Sequence, residues 1–97
     1  METFEVAHIN RQGQDIIMVL VANAFGSLSR SEQSRISNLL EIASHSAGLK
    51  GTVVPVWDGG FGRLAFLAPI PWMTFFKSLT LEDVALNINR TLTVNSG

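Results

Sequence analysis

Proton transfer near neutral pH is the first chemistry to look for in this chain, and only His8 and His45 carry imidazoles suited to it. No cysteine is present, so disulfides, thiolate nucleophiles and thiolate metal ligands are excluded. A zinc site needs three or four ligands at set spacing. Two histidines on different segments do not supply one, and neither a metal nor any other cofactor is expected. Glu41 and His45 lie four residues apart in a helical pattern, the spacing of a solvated surface pair. His8 shares an alternating segment with Phe4 and Val6 and reads as a partly buried, hydrogen-bonded histidine. Asp58 would need a second acid or a histidine beside it to act as a catalytic carboxylate. Its place at the start of a glycine turn suits an Asx hydrogen bond instead. No Gly-x-Ser-x-Gly elbow is present. Ser31, Ser34, Ser37, Ser44 and Ser46 fall mostly on the outward side of a helix and read as its weakly charged solvent face. Arg11, in the polar stretch 8–15, could grip a carboxylate or phosphate through two parallel N–H bonds. A small ligand-binding protein or enzyme would therefore place its site between the first hairpin turn and the 58–62 glycine loop, using His8, Arg11 and Asp58.

That loop, Gly59-Gly60-Phe61-Gly62, resembles a phosphate cradle only in its glycines. Phosphate loops converge backbone N–H groups at the start of a helix, commonly with a lysine. Here "RLAFLA" follows, which reads as a strand, so the glycines supply turn geometry. Phe61 is the one residue the turn itself does not require.

Six of the eight aromatic residues fall between positions 57 and 76: Trp57, Phe61, Phe66, Trp72, Phe75 and Phe76. From Leu64 to Phe76 the only polar side chain is Thr74. Such a segment packs in the core or anchors a partner, since Trp and Phe dominate interface hot spots. Trp57, Phe61, Trp72, Phe75 and Phe76 are the expected partner contacts. Composition points the same way. Charged residues make up 15% of the chain and hydrophobic ones 46%, and mean hydropathy is +0.27. Ordinary domains carry about 25% charged residues, so part of this surface is weakly charged or apolar, the mark of an interface. Net charge is −1 and the seven Lys and Arg residues are scattered. That argues against nucleic acid, and no basic amphipathic face argues for a membrane surface. The apolar run Ile16 to Ala22 is seven residues, far short of the roughly 20 that span a bilayer. The first residues lack a signal-peptide pattern, so the cytoplasm is the expected location, where the Asn89-Arg90-Thr91 sequon carries no glycan.

The positioning elements follow from periodicity. Thr3 to Ile9 alternates as a half-buried strand, Gly13 marks a turn, and Ile16 to Ala22 is a β-branched run suited to a strand covered on both faces. Ser29 and Glu32 form a capping box ahead of a helix over 30–47, with Ile36, Leu39, Leu40, Ala43 and Ala47 at helical spacing and Gly48 as terminator. Residues 51–57 read as a strand, placed at an edge because Pro55 has no N–H. Residues 63–68 read as its hairpin partner. Pro69 and Pro71 argue against a regular element over 68–76. Thr80 caps a second helix, with Leu81, Val84, Ala85, Ile88 and Leu92 as its apolar stripe. The expected fold class is α+β: a single domain over 1–97, a two-layer α/β sandwich in the order ββαββα, with a four-stranded, mainly antiparallel sheet and two helices on one face. One sheet face is then left bare beneath an apolar strand, and a second copy of the chain is its natural cover. The functional expectation is a non-enzymatic protein-interaction or adaptor module, homodimeric through that face, the 64–76 segment, or both. A structural role within a larger hetero-assembly is the remaining reading.

Overall fold

The computed structural model describes residues 2–94. Strands β1 (Glu2–Arg11) and β2 (Gln14–Leu20) form an antiparallel hairpin with Arg11 opposite Gln14. The two linking residues, Gln12 and Gly13, have φ of 54° and 79°. Two positive φ values define the type I′ turn, whose twist matches that of the strands it joins. Helix α1 (Arg30–Ser46) follows a 3₁₀ turn at Asn23–Ser27. Its Ser29 cap accepts the Glu32 N–H at 3.2 Å. Strand β3 (Thr52–Asp58) then enters parallel to β2, with Ile16 opposite Thr52 and Leu20 opposite Val56. Length explains this direction. Seventeen helical residues span about 25 Å at about 1.5 Å each. Seven strand residues span about 23 Å at about 3.3 Å each. The helix thus returns the chain to the end of the sheet where β2 began.

β4 (Leu64–Phe66) pairs antiparallel with β3, and β5 (Arg90–Val94) pairs antiparallel with β1. The result is a mixed five-stranded sheet in the order β4-β3-β2-β1-β5. The expected four-stranded sheet lacks β5. Helical spacing of positions 84, 88 and 92 places Leu92 in the last helix. Helix α3 (Leu81–Leu86) stops earlier, and "TLTV" then alternates, burying Leu92 and Val94 and exposing Thr91 and Thr93. Pro55 also lies on an interior strand, contrary to the edge expected for it. Its carbonyl accepts the Leu67 N–H at 3.1 Å, so its nitrogen faces the same side, just past the last β3–β4 pair, Val56–Phe66. With no donor to return, the ladder ends there, which accounts for a β4 of three residues.

The helices lie on both faces of the sheet, not on one. On the first face α1 and Phe25 cover Val6, Ile17, Val19, Val53, Leu92 and Val94. On the second, a 3₁₀ turn at Ile70–Trp72, helix α2 (Met73–Lys77) and α3 cover Ala7, Ile16, Met18, Val54 and Val56. The molecule is therefore three-layered, and the apolar strand β2 finds both covers within its own chain. Residues 68–76 do contain regular structure: prolines in the first turn of a helix lose no hydrogen bond, because those N–H groups have no partner there. On α1, Ser31, Ser34 and Ser46 are exposed on the expected outer side, but two of the serines turn inward. Ser44 is fully buried, and neither its Oγ nor that of Ser37 has a hydrogen-bond partner. Among the described residues no helix is long and apolar enough to cross a membrane.

Candidate functional site

The parallel pairing of β2 with β3 separates the residues expected to share a site. Arg11 lies at the turn where β2 begins, whereas Asp58 lies past the end of β3 that pairs with Leu20. A strand length of roughly 20 Å divides them, so His8, Arg11 and Asp58 do not converge. Each has a local task. Asp58 Oδ1 accepts the Gly60 N–H at 2.8 Å, and Gly59 donates to the Arg63 carbonyl at 2.7 Å. His8 Nε2 lies 2.9 Å from the Lys50 carbonyl oxygen, and His45 Nε2 lies 3.2 Å from that of Gly51. The two imidazoles thus pin consecutive peptides of the link from α1 to β3. The Asn89 side chain accepts the His8 N–H and donates to the His8 carbonyl, both at 2.9 Å. It continues the β1 edge where β5 stops, and its amide is thereby occupied. No group of three or more His, Asp or Glu side chains able to hold a metal occurs among the described residues.

The five aromatic positions do not form one surface. Trp57 packs on Phe25 on the first face, with ring centroids 4.9 Å apart. Phe76 is completely buried on the second face, 5.4 Å from Phe66 and 5.2 Å from Phe75. Trp72 and Phe75 are part-buried beside it, edge to face at 5.9 Å. Phe61 alone is wholly exposed, at the tip of the glycine loop with φ of 55°.

Two of the concave regions among the described residues bear on function. The first is an apolar groove of about 300 Å³ between α1 and the β1–β5 end of the sheet. Phe4, Phe25, Leu28, Ile36, Leu39 and Val94 supply its walls. Its two charged lining residues are Glu2 and Arg35. Arg35 is already engaged, 2.9 Å from Glu32 one turn earlier. That hydrogen bond holds the Glu32 carboxyl below its ordinary range and the guanidinium above its own. Among the described residues the groove therefore presents no free cation. Beside it runs β5, which among the described residues has β1 as its one neighbour in the sheet. Leu28 is 37% exposed, Leu39 41% and Ile42 65%. A trace of this flank is present in the sequence. At 100° per residue Leu39 and Ile42 fall to one side of the inward stripe through Ile36, Leu40 and Ala43, but only the position of β5 makes that side a groove.

The second is a cavity of about 270 Å³ on the opposite face, between the end of β1 and helices α2 and α3. Its apolar walls include Met18, Phe75, Leu79 and Val84, and its polar ones Arg11, Asp83 and Asn87. The Arg11 guanidinium carbon sits 5.1 Å from the Phe75 ring centroid. Asp83 belongs to the capping box of α3: Oδ2 accepts the Thr80 N–H at 2.8 Å, and its own N–H reaches Thr80 Oγ1 at 3.2 Å. Sequence reasoning singled out Arg11 and Phe75 but not Asp83, whose helix-cap signal hides its tertiary neighbours. Comparison of the chain with family models, curated proteins and solved structures finds no match.

Proposed function

We propose that the chain is a small non-enzymatic binding module that self-associates edge to edge, through β5 and the adjacent apolar flank of α1. The observation that carries this reading is the coincidence of an open strand edge with an apolar groove and three partly exposed large side chains, Leu28, Leu39 and Ile42. An open edge presents unpaired N–H and C=O groups to any strand laid beside it. Charge, proline or a bulge normally blunts such an edge. β5 carries one charge, Arg90 at its start, and no proline. Antiparallel pairing of β5 with its copy about a two-fold axis would continue the sheet and bring the two Leu39–Ile42 flanks together. A stable interface of standard size buries about 800 Å² per partner, to which the β5 edge, the groove beside it and the Leu39–Ile42 flank would all contribute. This moves the joint expected from the sequence away from the sheet face, which the chain covers itself, and from the 64–76 segment, whose Leu64, Phe66, Trp72, Phe75 and Phe76 pack on that cover while Leu67 and Ile70 stay exposed.

Sedimentation equilibrium at micromolar concentration tests this reading. A dimer is expected for the native chain. The double substitution Leu39→Glu, Ile42→Glu should weaken it by at least about a hundredfold, as for loss of central apolar anchors, while far-UV circular dichroism stays unchanged. A monomer at high micromolar concentration, or a dimer indifferent to both changes, removes the proposal.

A further inference from the structure

We infer that the cavity between Arg11 and Asp83 binds a small apolar α-amino acid, its carboxylate on the Arg11 guanidinium, its ammonium on Asp83 and its side chain against Phe75, Leu79 and Val84. The charges come first. Arg11 and Asp83 line the same cavity from different elements, β1 and α3. Neither takes part in an ion pair among the described residues, where the single one joins Arg35 to Glu32. A cation and an anion facing one cavity without neutralising each other are matched by a ligand that carries both charges. The geometry of each group adds direction. The Arg11 guanidinium rests over the Phe75 ring at 5.1 Å, which limits its rotation and leaves its planar donors available for a carboxylate. Asp83 commits Oδ2 to the Thr80 N–H, and its Oδ1 has no hydrogen-bond donor among the described residues. The Asn87 side chain spends its Nδ2 on the Asp83 carbonyl at 2.7 Å, which leaves its oxygen as a second acceptor for an ammonium.

Size and lining narrow the class. Ligand pockets generally run from about 300 to 1,000 Å³, so about 270 Å³ excludes nucleotides and oligosaccharides. The floor is formed by Met18 and Val84, 2% and 1% exposed, with Phe75 and Leu79 beside them. These favour a branched aliphatic side chain. The cavity lies on the sheet face opposite the β5 groove, so the inference stands apart from self-association.

Leucine is the probe, followed by backbone amide shifts in two-dimensional NMR. Two truncated compounds accompany it: 4-methylpentanoate, which lacks the ammonium, and 3-methylbutylamine, which lacks the carboxylate. Leucine is expected to shift amides around 11, 75 and 83 with a Kd of about 0.1–1 mM, the range open to so small a ligand. Each truncated compound should bind at least about tenfold more weakly, as should leucine to Arg11→Gln and to Asp83→Asn. The asparagine keeps an oxygen for the Thr80 N–H, so the helix cap survives while the charge is lost. No shifts at about 10 mM leucine, or equal affinity for the truncated compounds or for both variants, overturns the inference.

Discussion

Phe76→Ala is expected to lower the free energy of unfolding by about 3–5 kcal/mol, read as a fall in the urea midpoint at unchanged slope. A chain of this length has a total of about 5–15 kcal/mol, so the variant stands at the margin of folding. The size of the effect follows from position. Phe76 has no exposed surface, it touches Phe66 and Phe75 at ring distances of 5.4 and 5.2 Å, and it sits among Ala7, Ile16, Met18, Val54 and Val56. α2 contributes only five residues, too few to be helical alone. Its order rests mainly on Phe76, with Phe75 packed beside it, and alanine at 76 leaves a cavity that a sheet cannot collapse to fill. Phe61→Ala supplies the contrast. Its side chain is wholly exposed, and the change should stay within about 0.5 kcal/mol. Equal effects at the two positions would refute the burial argument.

Gly51→Ala should cost about 3 kcal/mol or more, because strain and overlap act together. Gly51 has φ of 129°, a region closed to side chains. A Cβ there would overlap the Asp15 carbonyl oxygen and lie 2.7 Å from its carbon. The obstacle is backbone at the start of β2, held in the hairpin by the Asn10–Asp15 pairing, so it cannot step aside. The link itself is held by His45 at the Gly51 carbonyl and His8 at that of Lys50. Relief therefore means displacing β3 from β2. Gly48→Ala isolates strain from overlap. Its φ is 84°, and a Cβ there meets nothing within 4 Å, so the penalty should be only about 1–2 kcal/mol. Urea melts in which the two variants unfold at the same midpoint would sink the close-approach argument.

Local signals carried much of this fold. The alternation of Thr3 to Ile9, the glycine at 13, the Ser29–Glu32 cap and the β-branched run at 16–22 each determine an element within a few residues, because the forces behind them act over one turn or one pleat. The errors arose where the deciding partner lies far along the chain. Val84, Ile88 and Leu92 satisfy helical spacing as well as they satisfy a short helix followed by a strand. What separates the two is the free edge of β1 waiting for β5. The apolar β2 pattern did signal two covered faces. It could not say that the second cover was the chain's own segment 70–86, since the prolines there resemble breakers until they are seen in the first turn of a helix. The cavity was legible only in part. Arg11 stood out as a lone cation in a polar turn, whereas Asp83 became its neighbour through the docking of α3 on the second face.

The pairing of Glu2 with Val94 has a kinetic consequence. Closing a loop of about 90 residues costs about 4 kcal/mol of chain entropy beyond a constant term, and no local contact offsets it in advance. The sheet can gain its fifth strand only after β1, β2 and β3 have assembled, which places the chain toward the slower folders of its size. Trp57 and Trp72 lie on opposite faces of the sheet and offer two fluorescent reporters of that order. In stopped-flow refolding, chains retaining only Trp57 or only Trp72, the other changed to Phe, should give a common phase slower than about a millisecond. Leu92→Ala should accelerate unfolding far more than it slows refolding, as expected of a strand that docks last. The opposite partition would move β5 into the nucleus.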